Sequence, residues 1–189
     1  MNGNGDEPAE AALVGEHVQG GGEEQAAPSQ AGRGPGTPEV GVLCGSASDL
    51  PIMQQATGIL ERFGIPHEIL VISAHRNPDL LDEFARTAEE RGMVCIICGA
   101  GMANHLAGAV AARTALPVIG VPLSGSSLGG VDALYSTVQM PKGVPVATMA
   151  IDGAVNAAIL AAQILAVRDP AVRAKIYEFK ESLAEGFKP

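Results

Sequence analysis

The segment Ser73-Ala74-His75-Arg76-Asn77-Pro78 sets a titratable imidazole beside a permanently charged guanidinium, directly ahead of a proline. Histidine gives and takes protons near neutral pH. Arginine presents a planar fork of donors that fits phosphate or carboxylate. His75 is thus the candidate acid/base and Arg76 the candidate anion holder; the plainer reading is a surface loop whose His caps a helix. A second segment, Gly45-Ser46-Ala47-Ser48-Asp49, joins a turn-permitting Gly to two hydroxyls and a carboxylate, a set suited to phosphate or ribose. Asp49 is placed either to cap the helix that follows or to accept from ribose hydroxyls. The loop lacks the closing Gly-Lys-Ser/Thr of a nucleotide triphosphate loop and is not GxGxxG.

Residues 99–105 carry Gly99 and Gly101, which let a ligand lie against the backbone, and then Asn104 and His105. Asn104 reads as a possible cap, and His105 as part of the first turn of a helix, equally a ligand contact or a structural imidazole. Residues 122–130 are rich in Gly and Ser and long for a connection of their kind, the texture of a mobile cover. Lys142 reads as solvent-facing, and His67 and His17 fall outside the candidate set.

These groups need elements to hold them, and the hydrophobic pattern supplies an alternation. Short apolar runs at 40–45, 67–72, 93–98, 117–121 and 144–150 read as strands. Stretches at 50–63, 78–91, 104–114, 131–139, 154–167 and 172–184 read as helices, with Gly64 a stop and Pro78 a start. Strand–helix alternation over short loops implies a parallel sheet in a three-layer α/β sandwich of flavodoxin-like type. In such sheets ligands sit outside the carboxyl ends of the strands, where every loop described above falls. The division expected is a low-complexity arm over residues 1–38, too poor in branched apolar residues to order itself, then a catalytic domain over 39–168. Residues 169–189 form a last helix expected to pack on a neighbouring subunit; Ala-rich helices also point to a homo-oligomer.

Of the 189 residues, 47% are hydrophobic but only 3% aromatic, so the core must be aliphatic and Ala-rich. A net charge of −9 argues against a nucleic-acid partner, whose backbone requires clustered cations. No apolar run approaches the roughly 20 residues of a membrane span, and the N-terminus lacks a signal-peptide pattern, so a cytoplasmic protein is expected. Three cysteines make no disulfide framework; Cys95 and Cys98 point to opposite faces of a strand and read as buried thiols rather than a metal site. Unaided, these residues reach a proton-transfer enzyme acting on a phosphorylated, hydroxylated small molecule, with a non-catalytic nucleotide-binding module as the alternative.

Taken together, GSASD at 45–49, SAHRNPD at 73–79, GAGMANHLAG at 99–108 and VQMPKGVPVATMAI at 138–151 resemble the N5-carboxyaminoimidazole ribonucleotide mutase family of purine synthesis. Four motifs in order across residues 40–167 are specific where any one is not. The resemblance implies that a carboxylate moves from nitrogen to carbon 4 of an aminoimidazole ribonucleotide, without metal or organic cofactor. It implies that the carboxylate leaves as CO2 in a closed pocket and is recaptured there. On this sequence it makes His75 the proton carrier and assigns substrate to Ser46, Ser48, Asp49, Ser73 and Arg76, with Asp49 on the ribose and Arg76 on the phosphate. Gly101 and His105 would wall the CO2 pocket. Arg76 and His105 favour the mutase over relatives that carboxylate the unmodified ribonucleotide directly, a carbon–carbon lyase reaction; Met102, Asn104, Ala107 and Asn77 depart from the usual motif. An octamer is the implied assembly.

Overall fold

The computed structural model describes residues 37–188. The arm assigned to residues 1–38 therefore lies outside the described residues except for Thr37 and Pro38.

Five strands make one parallel sheet: β1 (Val40–Cys44), β2 (His67–Val71), β3 (Cys95–Gly101), β4 (Val118–Leu123) and β5 (Ala147–Thr148), in the order β2-β1-β3-β4-β5. Between them run α1 (Leu50–Phe63), α2 (Pro78–Thr87), α3 (Leu106–Ala111), α4 (Val131–Val138), α5 (Ala154–Ala166) and α6 (Pro170–Ala184), with a 3-10 turn at Ala47–Asp49. This is the expected flavodoxin-like α/β architecture. β1 and β4 are buried along their whole length, as strands covered on both faces must be.

Alternation along the strands divides the core. Val42, Cys44, Cys95, Ile97, Ile119 and Val121 face α1, α5 and α6. Leu43, Ile96, Cys98 and Val118 face α2 and α3. The Ala-rich stretch of α5 is what the first face uses to bring a helix close: Ala154, Ala157, Ala158, Ala161 and Ala162 are all fully buried. Phe63 of α1 meets Phe179 of α6 edge to face, with centroids 5.5 Å apart.

Several boundaries differ from those the sequence pattern gives. β3 runs on through Gly99, Ala100 and Gly101, which the pattern assigns to a loop, because those residues keep pairing with β4 at Val121, Pro122 and Leu123. A Cβ at Gly99 would lie 2.2 Å from the Met53 sulfur, so the glycine marks a helix seated tightly on the strand and not the start of a turn. β5 shrinks to two residues, since it is the sheet edge and pairs only at Ala147 and Thr148. α6 begins at Pro170, where Asp169 accepts the N–H groups of Ala171 and Val172. That helix buries Val172, Ile176 and Phe179 within its own chain, leaving only the opposite face, with exposed Tyr177, open to a neighbour.

Candidate active site

The chain leaves β1 toward one edge of the sheet and returns on the other side as β3, so the loops after these strands diverge and open a crevice. A cleft of about 440 Å³ occupies it. Gly45, Ser46, Ser48 and Asp49 line it from the first loop, Ser73, His75 and Arg76 from the second, Gly101 and Met102 from the third. Seven of the eight site residues expected from sequence thus line one cavity. The eighth, His105, is not in the lining but touches a residue that is.

That contact is the central feature of the site. His75 Nε2 and His105 Nδ1 lie 2.8 Å apart, with the rings edge to face and their centroids separated by 4.9 Å. At this separation one ring nitrogen donates and the other accepts, so a single N–H is shared between two imidazoles. His105 sits at the N-cap position, one residue ahead of α3, and not within its first turn. The pair spans 30 residues of chain, brought together because β2 and β3, which lead into the two loops, flank β1 on either side.

Arg76 is steered from two sides. Its backbone N–H and Nε donate to Ser73 Oγ at 3.3 and 3.2 Å, and Nη2 donates to the Gly45 carbonyl at 3.3 Å. A guanidinium has five donors, so this leaves others for an anion beside the first loop. Ser73 is therefore an orienting residue for Arg76 as well as part of the lining.

The first loop is satisfied within itself. The Ser46 N–H donates to Asp49 Oδ2 at 2.9 Å, while the Ser48 N–H and hydroxyl donate to Ser46 Oγ at 3.4 and 3.1 Å. This is a reciprocal capping box on the 3-10 turn. Asp49 stands at the N-cap of α1 but makes no side-chain bond to that helix, so its carboxylate caps backward and not forward. Burial raises the pKa of Asp49 above the ordinary carboxylate value of 3.8, with the bonds from Ser46 and Ser48 offsetting part of the effect.

The third loop is held by a residue whose role the sequence does not announce. Asn104 is fully buried; its Nδ2 donates to the Val121 carbonyl and to Thr137 Oγ1, and its N–H donates to Ser136 Oγ. It anchors the loop to β4 and α4 and does not cap α3. The one available signal is an amide embedded in the small apolar stretch 100–111. Met102 ahead of it takes a left-handed conformation (φ 53°), uncommon outside glycine, and lies exposed at the cleft mouth. A second such residue, Asp152 (φ 58°), follows β5.

Gly125 brings the connection after β4 into the cleft lining. Within it Ser126 Oγ donates to Asp132 Oδ1 at 2.7 Å and accepts the Leu128 N–H, so the expected cover carries its own hydrogen bonds. Among the described residues no group of three or more His, Cys, Asp or Glu is gathered as a metal site would require, and no helix is long and apolar enough to cross a membrane.

The family model described as AIR carboxylase matches residues 39–186. The N5-carboxyaminoimidazole ribonucleotide mutase of Thermotoga maritima is 58% identical over 146 residues, which is 77% of this chain and 85% of that protein. The phosphoribosylaminoimidazole carboxylase of Schizosaccharomyces pombe is 53% identical over 149 residues, 79% of this chain but only 27% of that longer protein. The crystal structure of Treponema denticola PurE superposes with a TM-score of 0.71 at 31% identity, covering 78% of this chain and 92% of that one. With a family model spanning the whole of the described domain and relatives of this closeness, the chain belongs to the AIR carboxylase family.

Proposed function

We propose that the chain is a mutase of purine synthesis that converts N5-carboxyaminoimidazole ribonucleotide to 4-carboxy-5-aminoimidazole ribonucleotide. The single observation that carries the reading is the imidazole pair His75–His105 beside a cleft lined by hydroxyls and a guanidinium. The ribonucleotide phosphate lies with Arg76 and the serines of the first loop, and the ribose hydroxyls with Asp49. The bond from the exocyclic nitrogen to the carboxylate breaks, releasing CO2, and His75 supplies the proton the nitrogen takes up. Carbon 4 then attacks the trapped CO2, and its proton returns to His75. Protons given and taken balance over the cycle. His105 shares an N–H with the carrier and so couples its own protonation to that of His75, beyond the walling role that the family resemblance assigns to it.

Relatives carry both the mutase and the carboxylase names, so the rival reading is direct carboxylation of the unmodified ribonucleotide. Arg76 and His105, both present, favour the mutase. The test is turnover of the purified protein on the N-carboxylated substrate against the unmodified one with bicarbonate. Faster use of the second overturns the mutase reading. His75→Asn is expected to lower turnover roughly a thousandfold while ribonucleotide binding remains; surviving turnover removes His75 as proton carrier. The protein works in the cytoplasm as a homo-oligomer, an octamer by resemblance. Exposed Val131, Tyr135 and Val138 along one side of α4 support assembly, and sedimentation of the full chain measures it.

A further inference from the structure

The connection from β4 to α4 reaches the cleft through Gly125, yet the side chain that fixes its first residue comes from elsewhere. Asp152, in the turn between β5 and α5, accepts the Ser124 N–H at 2.9 Å and the Ser124 hydroxyl at 2.6 Å, one on each carboxylate oxygen. Its own N–H donates to the Pro122 carbonyl at 2.9 Å. Three hydrogen bonds thus bind this one residue to the end of β4. Asp152 makes them from a left-handed backbone (φ 58°), a conformation that Asp tolerates better than most residues but still at a cost.

The far end of the loop returns to the same place. A Cβ at Gly130 (φ 87°) would lie 2.7 Å from the Ile151 side chain and 3.1 Å from the Ser124 backbone. Only glycine fits a left-handed position this crowded. The loop is therefore pinched at its base between Leu123–Ser124 and 151–152, and its first free residue, Gly125, lies about 3.8 Å from where a Cβ on Gly101 would stand. Gly101 and Gly125 thus lie side by side in the cleft lining.

We propose that Asp152 is a positioning residue of the active site: by gripping Ser124 through both its N–H and its hydroxyl, it fixes the Gly125 backbone that lines the cleft beside Gly101. It touches no reacting atom and acts only through Ser124. This rests on the cleft being the ribonucleotide site, and the wild-type chain serves as the control for that reading.

The test compares wild type, Asp152→Gly, Asp152→Asn and Ser124→Ala by steady-state kinetics on the N-carboxylated ribonucleotide, together with amide exchange of residues 124–130. Glycine removes the carboxylate and adopts the left-handed backbone without strain. The expected result is a KM raised about tenfold with a smaller change in kcat, because the cleft wall loses both bonds that anchor Ser124 while the imidazole pair stays in place. Exchange of the 124–130 amides quickens in the same variant. Asn keeps one acceptor and restores part of the KM; Ser124→Ala raises KM less than Asp152→Gly, and the double variant adds little to the glycine change alone. Unchanged KM and unchanged amide exchange in Asp152→Gly overturn the proposal while leaving the mutase reading intact. Should Asp152→Gly not fold, unchanged KM in Ser124→Ala overturns it. An inactive wild type would instead sink the function assigned to the cleft.

Discussion

The two faces of the sheet are built differently. One face carries three helices, α1, α5 and α6, with aromatic contacts between Phe63 and Phe179 and a helix of buried alanines. The other has the smaller cluster, in which α2 and α3 cover the sheet through Leu81, Phe84, Leu106 and Val110. Both histidines sit on loops that lead into this thinner side, His75 ahead of α2 and His105 ahead of α3. The first face mainly stores stability, and the second trades packing for the placement of reactive groups. A damaged first face should lower the fraction folded; a damaged second face should also alter the chemistry of what remains folded.

Two substitutions press on that contrast. Phe63→Ala empties a fully packed aromatic site on the thick face and is expected to lower unfolding free energy by about 3–5 kcal/mol. Denaturant titration measures the loss, while kcat/KM per folded molecule stays near wild type. A matching loss of kcat/KM would break the division of labour. Leu106→Ala sits on the thin face, next to His105 and on the cleft lining. Its expected cost is about 2–4 kcal/mol, but kcat/KM should fall as well, because the cavity lies beneath the His75–His105 contact. If activity per folded molecule is unchanged, the thin face is not what positions the pair.

The smallest effect concerns pH. Burial raises the pKa of Asp49 in the folded state above 3.8, so folding favours its protonated form. The native state then binds more protons than the unfolded chain between those two values, and the stability this group contributes falls as pH rises through that window. Asp49→Asn should flatten the dependence of Tm on pH across that acid range with little change at lower pH. A pH profile identical to wild type would mean the carboxylate is effectively solvated in the loop.

Much of the architecture was readable because it rests on local pattern. The helix 50–63 ends where the apolar spacing stops at Phe63, and the strands follow from short runs of Val, Ile and Leu. The lining residues were readable for a related reason: in a parallel sheet all βα loops share one edge, so Ser46, Ser73 and Gly101 had to converge. What the pattern did not contain were bonds between elements far apart in sequence. His75 with His105, Asn104 with Thr137, and Asp152 with Ser124 each depend on strand order and on the angle at which a helix leaves its strand. Asp152 follows a strand of only two residues, so nothing in its neighbourhood marks it as belonging to the site. Asn104 carries a hint in being polar among apolar residues, yet hints of that kind point equally to a cap.

The three cysteines have a consequence for the redox life of the protein. All are buried and free, and Cys44 and Cys95 are pushed up to about 12 by burial, with Cys98 raised as well. Burial thus holds them as neutral thiols near neutral pH, whereas the thiolate is the form that oxidants and alkylating agents attack. Cys44 ends the strand that leads into the first loop, and β3, which carries the other two, runs into the third. Sulfur chemistry thus lies directly beneath the site and is silenced by dehydration, so oxidative stress that disables low-pKa cysteine enzymes should leave this one working.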